Sequence, residues 1–160
     1  MGQLNSSQIE KYLHRSYTAV DGLWFMKVEE QYGFDKALEI DNEVWKVLPK
    51  IQARMLKSFM GKNSGLEDLF QCFTTKLTLD GFEYKSEKKV NGFTIIIERC
   101  PWHDQMIKSG RQDLSDKIGT RICNTEYAVW AAEFSDNIDF KIQERICNGA
   151  DSCILVFQSV

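Results

Sequence analysis

The stretch Glu144-Arg145-Ile146-Cys147-Asn148-Gly149-Ala150-Asp151-Ser152-Cys153 places two thiols either side of a short polar loop, with a carboxylate three residues before the first. A further thiol, Cys123, lies upstream at the edge of a helical stretch. Three thiols and a carboxylate, brought together, are the donors of a tetrahedral zinc-type site. Cys123, Glu144, Cys147 and Cys153 are therefore the candidate metal ligands. Two plainer uses stay open: a pair of buried thiols in a hairpin, or a redox switch in which Cys147 and Cys153 form a disulfide on oxidation.

Glu144 has an argument of its own. Ile138, Phe140 and Ile142 alternate on one face of a strand, and Glu144 shares their parity. An ionised carboxylate turned into a core needs a partner or a metal. Strict alternation puts Glu144 and Cys147 on opposite faces, so the site requires the strand to bulge or end near Arg145.

A second cluster is Cys100-Pro101-Trp102-His103. Cys100 ends a strand and His103 starts a helix. A helix start lowers the pKa of a nearby thiol, and so does a protonated imidazole. Cys100 is then a candidate nucleophile with His103 as its acid/base, or the two join the metal site. Trp102 is a core residue or a substrate contact. Arg111 is a candidate clamp for a substrate carboxylate, or a solvated side chain. Cys72 reads as a small buried hydrophobe and His14 as a surface residue.

The elements that must position these residues follow from periodicity. Ser6 or Ser7 caps a first helix carrying Ile9, Leu13, Val20, Trp24 and Val28. Leu23 to Met26 is apolar all round, so that part is expected to be covered on more than one face. Gly33 stops the helix. Asp35 opens a second helix with one apolar stripe, Ala37, Ile40, Val44, Leu48, Ile51, Met55 and Phe59, which Pro49 kinks or divides. A third helix carries Leu66, Leu69, Phe70, Phe73 and Leu77. Two strands, Gly81 to Ser86 and Asn91 to Arg99, share an Asn-Gly turn. A short helix runs to about Gly110. A longer one is capped by Asp113 and is expected to break next to Cys123, where Asn124 offers a second cap. Ile138 to Cys147 and Ser152 to Gln158 make a second hairpin. Runs of helices and then strands indicate an α+β fold, with helices packed on a four-stranded antiparallel sheet. Residues 1–160 form a single domain, helical over 1–80 and sheet-containing over 81–160.

Composition limits the function. The 160 residues are 43% hydrophobic and 12% aromatic, enough for a core, and carry a formal charge of -3. That balance argues against nucleic acid as a partner, because phosphate binding needs clustered Lys and Arg. No apolar run approaches the roughly 20 residues that span a bilayer. Met1-Gly2-Gln3-Leu4-Asn5-Ser6 fits the loose myristoylation pattern but lacks a polybasic neighbour, and is discounted. With no secretion-type segment, a cytoplasmic location and five reduced cysteines are expected. The strongly apolar first two helices point to a homodimer interface.

Cys123, then Glu144-x-x-Cys147-x5-Cys153 running into Ile154-Leu155-Val156-Phe157, resembles the vinyl-4-reductase domain. That domain is also the sensor module of some phenol-responsive transcription activators and archaeal redox regulators. The resemblance implies zinc on Cys123, Glu144, Cys147 and Cys153 beside a buried small-molecule pocket; iron is the other candidate, because thiolate sites accept both metals. The helix with Asp21-Gly22-Leu23-Trp24, Cys100-Pro101-Trp102 and the closing hairpin also resemble small proteins grouped near the L-2-amino-thiazoline-4-carboxylic acid hydrolase family. That resemblance implies hydrolytic opening of a small cyclic amidine. The leading expectation is a cytosolic metal-binding, small-molecule-binding or sensor-like domain. The hydrolase and the redox switch are its alternatives.

Overall fold

Asn5 begins the first helix, α1 (Ser6–Tyr32), through a capping box: its side chain accepts from Gln8 N–H while Gln8 returns a bond to the Asn5 backbone. The cap therefore falls one residue before the expected Ser6. The computed structural model describes residues 3–160, so Met1 and Gly2 of the myristoylation-type pattern lie outside the described residues. The chain divides into two units, residues 1–41 and 42–160. In the first, α1 ends at Gly33, whose φ of 85° is open to glycine and whose N–H reaches Glu29 O at 2.8 Å. Helix α2 (Phe34–Trp45) follows directly, with Phe25 and Phe34 edge to face at 5.8 Å. None of the residues of α1 is fully buried. Trp24 stays 61% exposed and Leu23 57%, so the expected covering of this stretch on more than one face is not found.

In the second unit the long apolar stripe is divided, as Pro49 requires. Helix α3 (Leu48–Met60) restarts after Trp45 with the proline in its first turn. The restart changes the helical phase. Pro49, Ala53 and Leu56 face inward, while Ile51, Met55 and Phe59, expected in the stripe, are exposed. Helix α4 (Leu66–Leu79) buries Leu69, Cys72, Phe73 and Leu77. Cys72 is an inert core residue, as its surroundings suggested.

Strands β1 (Glu83–Lys89) and β2 (Gly92–Arg99) form the first hairpin. A Cβ at position 92 would lie 2.4 Å from Phe157 O, so this strand crossing needs glycine. Helix α5 (Pro101–Lys108) leads to α6 (Ser115–Phe134), and β3 (Ile138–Glu144) and β4 (Cys153–Ser159) close the chain. The sheet order is β1-β2-β4-β3, antiparallel throughout. The α+β class, the helical N-terminal half and the four-stranded antiparallel sheet are those expected.

Period-two alternation selects the buried face. Phe93, Ile95 and Ile97 of β2 oppose Phe157, Leu155 and Cys153 of β4. The rings stack at 4.7 Å for Phe93 and Phe157, and Phe73, Tyr127, Trp130 and Phe134 of the helices join the same core. Helix α6 runs unbroken past Cys123. Asn124 donates its side-chain N–H to Thr120 O at 2.6 Å instead of capping a new helix, which corrects the expected break.

A charged pair lies inside this framework. Lys76 of α4 and Glu126 of α6 are both buried and stand 2.5 Å apart, with Asp80 at 3.2 Å from the ammonium. Burial opposes the charge on Lys76, but Glu126 and Asp80 outweigh it and raise its pKa.

Candidate thiol site

Four of the five cysteines lie toward one end of the sheet, three of them near enough to Cys123 to act on it electrostatically. Cys153 opens β4 directly across from Ile97, three residues before Cys100, where β2 gives way to α5. Cys100, Cys123 and Cys153 pack against the same core. Cys147 lies on a single 3-10 turn, Ile146–Asn148, ended by Gly149 at φ 88°. That turn is closely tied. Arg145 O accepts from Asn148 and Ala150, Ile146 O accepts from Gly149 at 2.9 Å, and Ile146 N–H donates to Cys153 Sγ at 3.2 Å.

Gly119 shows how tightly the turn meets α6. A Cβ there would sit 2.7 Å from Cys147 Sγ. Gly119 precedes Cys123 by four residues, so the two share a helix face one turn apart, and Cys147 lies near enough to act electrostatically on the Cys123 thiol. Sequence reading missed Gly119. Its signal was a glycine inside a helix, which costs about 1 kcal/mol against alanine and so wants a packing reason.

Burial disfavours the thiolate at all four cysteines. Burial raises Cys123 well above the ordinary thiol range, and Cys100, Cys147 and Cys153 raise it further by mutual repulsion. Burial also raises Cys147 and Cys153; Cys153 raises Cys147 further, while Arg145 opposes in both cases. Cys100 is pushed up to about 12 by burial, with the first N–H groups of α5, chiefly that of His103, opposing. The expected lowering by the helix start is thus overridden by desolvation. His103 Nδ1 is hydrogen-bonded to Ser115 Oγ at 2.8 Å.

Glu144 stands apart from the thiols. The β3–β4 register shifts between Ile142 and Glu144, so Gln143 is an extra residue and Glu144 pairs with Ile154 on the outer face. The strand ends at Glu144, next to Arg145 as expected, but a bulge also intervenes at Gln143, before the carboxylate and not after it. It turns Glu144 outward and exposed, which corrects the inward carboxylate. Glu144 instead lines an open hollow of about 210 Å³ with Ile142, Gln143, Arg145, Asn148 and Ala150.

The remaining candidates scatter. Trp102 is half-buried, edge to face with Trp45 at 6.1 Å. Arg111 is half-buried before the 3-10 turn Gln112–Leu114, its backbone N–H on Met106 O at 2.9 Å. As the side chains stand, no three His, Cys, Asp or Glu among the described residues are arranged to hold a metal ion. Glu144 lies on the outer face, away from the buried thiols, so the expected four-ligand set is not assembled among the described residues.

Fold and site together define an α+β domain whose sheet carries a cluster of cysteines at one end. The chain belongs to DUF6125, a family of unknown function, whose model matches residues 5–153. What matches is thus neither a vinyl-4-reductase nor a thiazoline-hydrolase family. A comparison with curated proteins finds no match. Among solved structures, the phenol-responsive sensory domain of the transcription activator PoxR, crystallised with phenol, is similar with a TM-score of 0.53 and 11% identity. The match covers 88% of this chain and 73% of that one. At that identity the likeness is one of fold. Among the described residues no helix is long and apolar enough to cross a membrane.

Proposed function

We propose that this chain is a small-molecule-binding, sensor-like domain whose C-terminal hairpin is fastened to α6 by a zinc-type ion on cysteine sulfur. The observation that carries the sensor reading is the fold shared with a phenol-responsive sensory domain over 88% of the chain. The metal part is supported by the thiols of Cys123, Cys147 and Cys153, of which the last two are near enough to Cys123 to act on it electrostatically. A fully protein-ligated ion is structural in role and would supply rigidity, with no open position for chemistry. Iron fits thiolate donors as zinc does.

The candidate ligand site is the hollow beside the Cys147 turn. Its Gln143, Glu144, Arg145 and Asn148 lining suits a small polar molecule. A ligand there would press on the turn that carries Cys147, which gives a sensor its route from pocket to hairpin.

Metal analysis of protein purified without chelator tests the metal part, and a thermal-shift screen of small phenols and carboxylates tests the binding part. Expected are about one equivalent of zinc or iron per chain and a rise in melting temperature with at least one ligand class. Metal near zero with five freely titrating thiols would falsify the metal reading. A flat screen removes the ligand reading. The hydrolase alternative is less well supported, because burial keeps the Cys100 thiol protonated and His103 is engaged with Ser115.

A further inference from the structure

We infer that the outer face of α3 docks on an anionic lipid surface, through a row of apolar side chains set beside a row of cations. This face shares no residue with the thiols or with the hollow beside the Cys147 turn.

The apolar row is Val47, Ile51, Met55 and Phe59, four residues apart and so one above another on a single helix face. They are 54%, 57%, 48% and 74% exposed. Pro49, Ala53 and Leu56, on the other side of the same helix, are buried. Core packing therefore accounts for one apolar side of α3 and leaves the second uncovered. A cation stands one residue before each of the first three members of the row: Lys46 before Val47, Lys50 before Ile51, Arg54 before Met55. These cations keep the same spacing of four, so they form a parallel row, and all three are exposed. Lys57 and Lys62 bring the cations of residues 46–62 to five, with no Asp or Glu in that stretch, in a chain whose formal charge is -3.

Charge selects the occupant. Three carboxylates from neighbouring positions face these cations: Glu43 lies 2.6 Å from Lys46, Glu133 2.9 Å from Arg54 and Asp68 3.7 Å from Lys62. Lys57 donates to the Glu133 carbonyl oxygen. Five cations against three carboxylates leave the patch positive. The pairs at Lys46 and Arg54 are open to water, so an anionic headgroup can compete for them. A second copy laid α3 against α3 would set like charges together. A nucleic acid would engage the cations and leave the apolar row in water. A helix lying in the plane of a membrane surface uses both rows: apolar side chains enter the acyl boundary while Lys and Arg meet the headgroups. Attachment of this kind needs no spanning helix.

The test is co-sedimentation of the full chain with two kinds of vesicle, one of phosphatidylcholine alone and one with about a third phosphatidylserine. Binding is expected on the anionic vesicles and is expected to fall at least about fivefold between low and high salt. Phe59→Ser is expected to lose about tenfold in vesicle affinity, and Lys50→Gln about fivefold. Val90→Ser removes an apolar side chain that is 99% exposed between β1 and β2, and is expected to match wild type. Failure to bind anionic vesicles, or equal binding with and without phosphatidylserine, overturns the inference. So does unchanged binding by Phe59→Ser. A Phe59→Ser substitution that splits a dimer in sedimentation, with vesicles ignored by wild type, overturns it in favour of a second copy. Should Phe59→Ser fail to fold, Met55→Gln in the same row carries the same test.

Discussion

Gly119 and Cys147 set the closest approach between α6 and the C-terminal turn, and they make the sharpest prediction at the level of single residues. Alanine normally improves a helix interior by about 1 kcal/mol over glycine. At Gly119 the added carbon meets sulfur at 2.7 Å. Gly119→Ala is therefore expected to lower stability by about 1–3 kcal/mol. Gly22→Ala, in α1 with nothing within 4 Å, is expected to leave it equal or raise it. Urea denaturation of the two variants checks the contrast, and a neutral Gly119→Ala would show that the turn yields. Lys76 and Glu126 make a second case. Removing one charge of a buried pair strands the other, so Lys76→Met is expected to cost about 3–5 kcal/mol. Lys76→Met with Glu126→Gln should recover most of that loss. A double-mutant cycle that returns no coupling removes the pair from the stability of the core. Neither residue was singled out in the sequence, because a helical Lys and Glu far apart in the chain read as solvated surface until the fold joins them.

At the level of elements, the decisive feature is one extra residue in β3. Deleting Gln143 should leave a regular ladder in which Glu144 directly follows Ile142 and still pairs with Ile154 on the outer face. The expected result is a variant within about 1 kcal/mol of the parent by thermal melting, since no carboxylate is forced into hydrocarbon. A loss of several kcal/mol would mean that the extra residue is needed to close the hairpin. The elements themselves were largely legible. Strand alternation, the Asn91-Gly92 turn and the break at Pro49 each came from residue types with a single strong backbone preference. Two things were not legible. The phase of α3 depends on where it restarts, which moved Ile51, Met55 and Phe59 to the surface. A bulge leaves no mark in a strand whose extra residue, Gln143, is polar like Asp139 and Lys141 at the alternate positions before it. The thiols Cys123, Cys147 and Cys153 stood out in the sequence because cysteine is rare and its uses few, whereas the face of Glu144 needed the strand register.

On the scale of the whole molecule, α1 presents an unusual balance. It has 27 residues, none of them fully buried, and it leaves Leu13, Val20, Leu23 and Trp24 more than half exposed. Helices draw most of their stability from packing an apolar face. The homodimer expected from the sequence would give this helix such a face. Sedimentation should then show a dimer that dissociates on dilution, and Trp24→Glu should shift it toward monomer. A monomer at every concentration removes that expectation.

The sheet order leaves β1 and β3 as its two borders, each with an unpaired row of backbone donors and acceptors. Such borders can recruit strands from other chains and seed fibrils. Here β3 is interrupted by its bulge, and β1 points Lys88 toward the core side, where its ammonium pairs with Glu67 and lies over the Phe70 ring. A foreign strand adding to β1 would have to cover that ammonium. The ion pair between Lys88 and Glu67 thus acts as a guard against aggregation, a role that has nothing to do with ligand or metal.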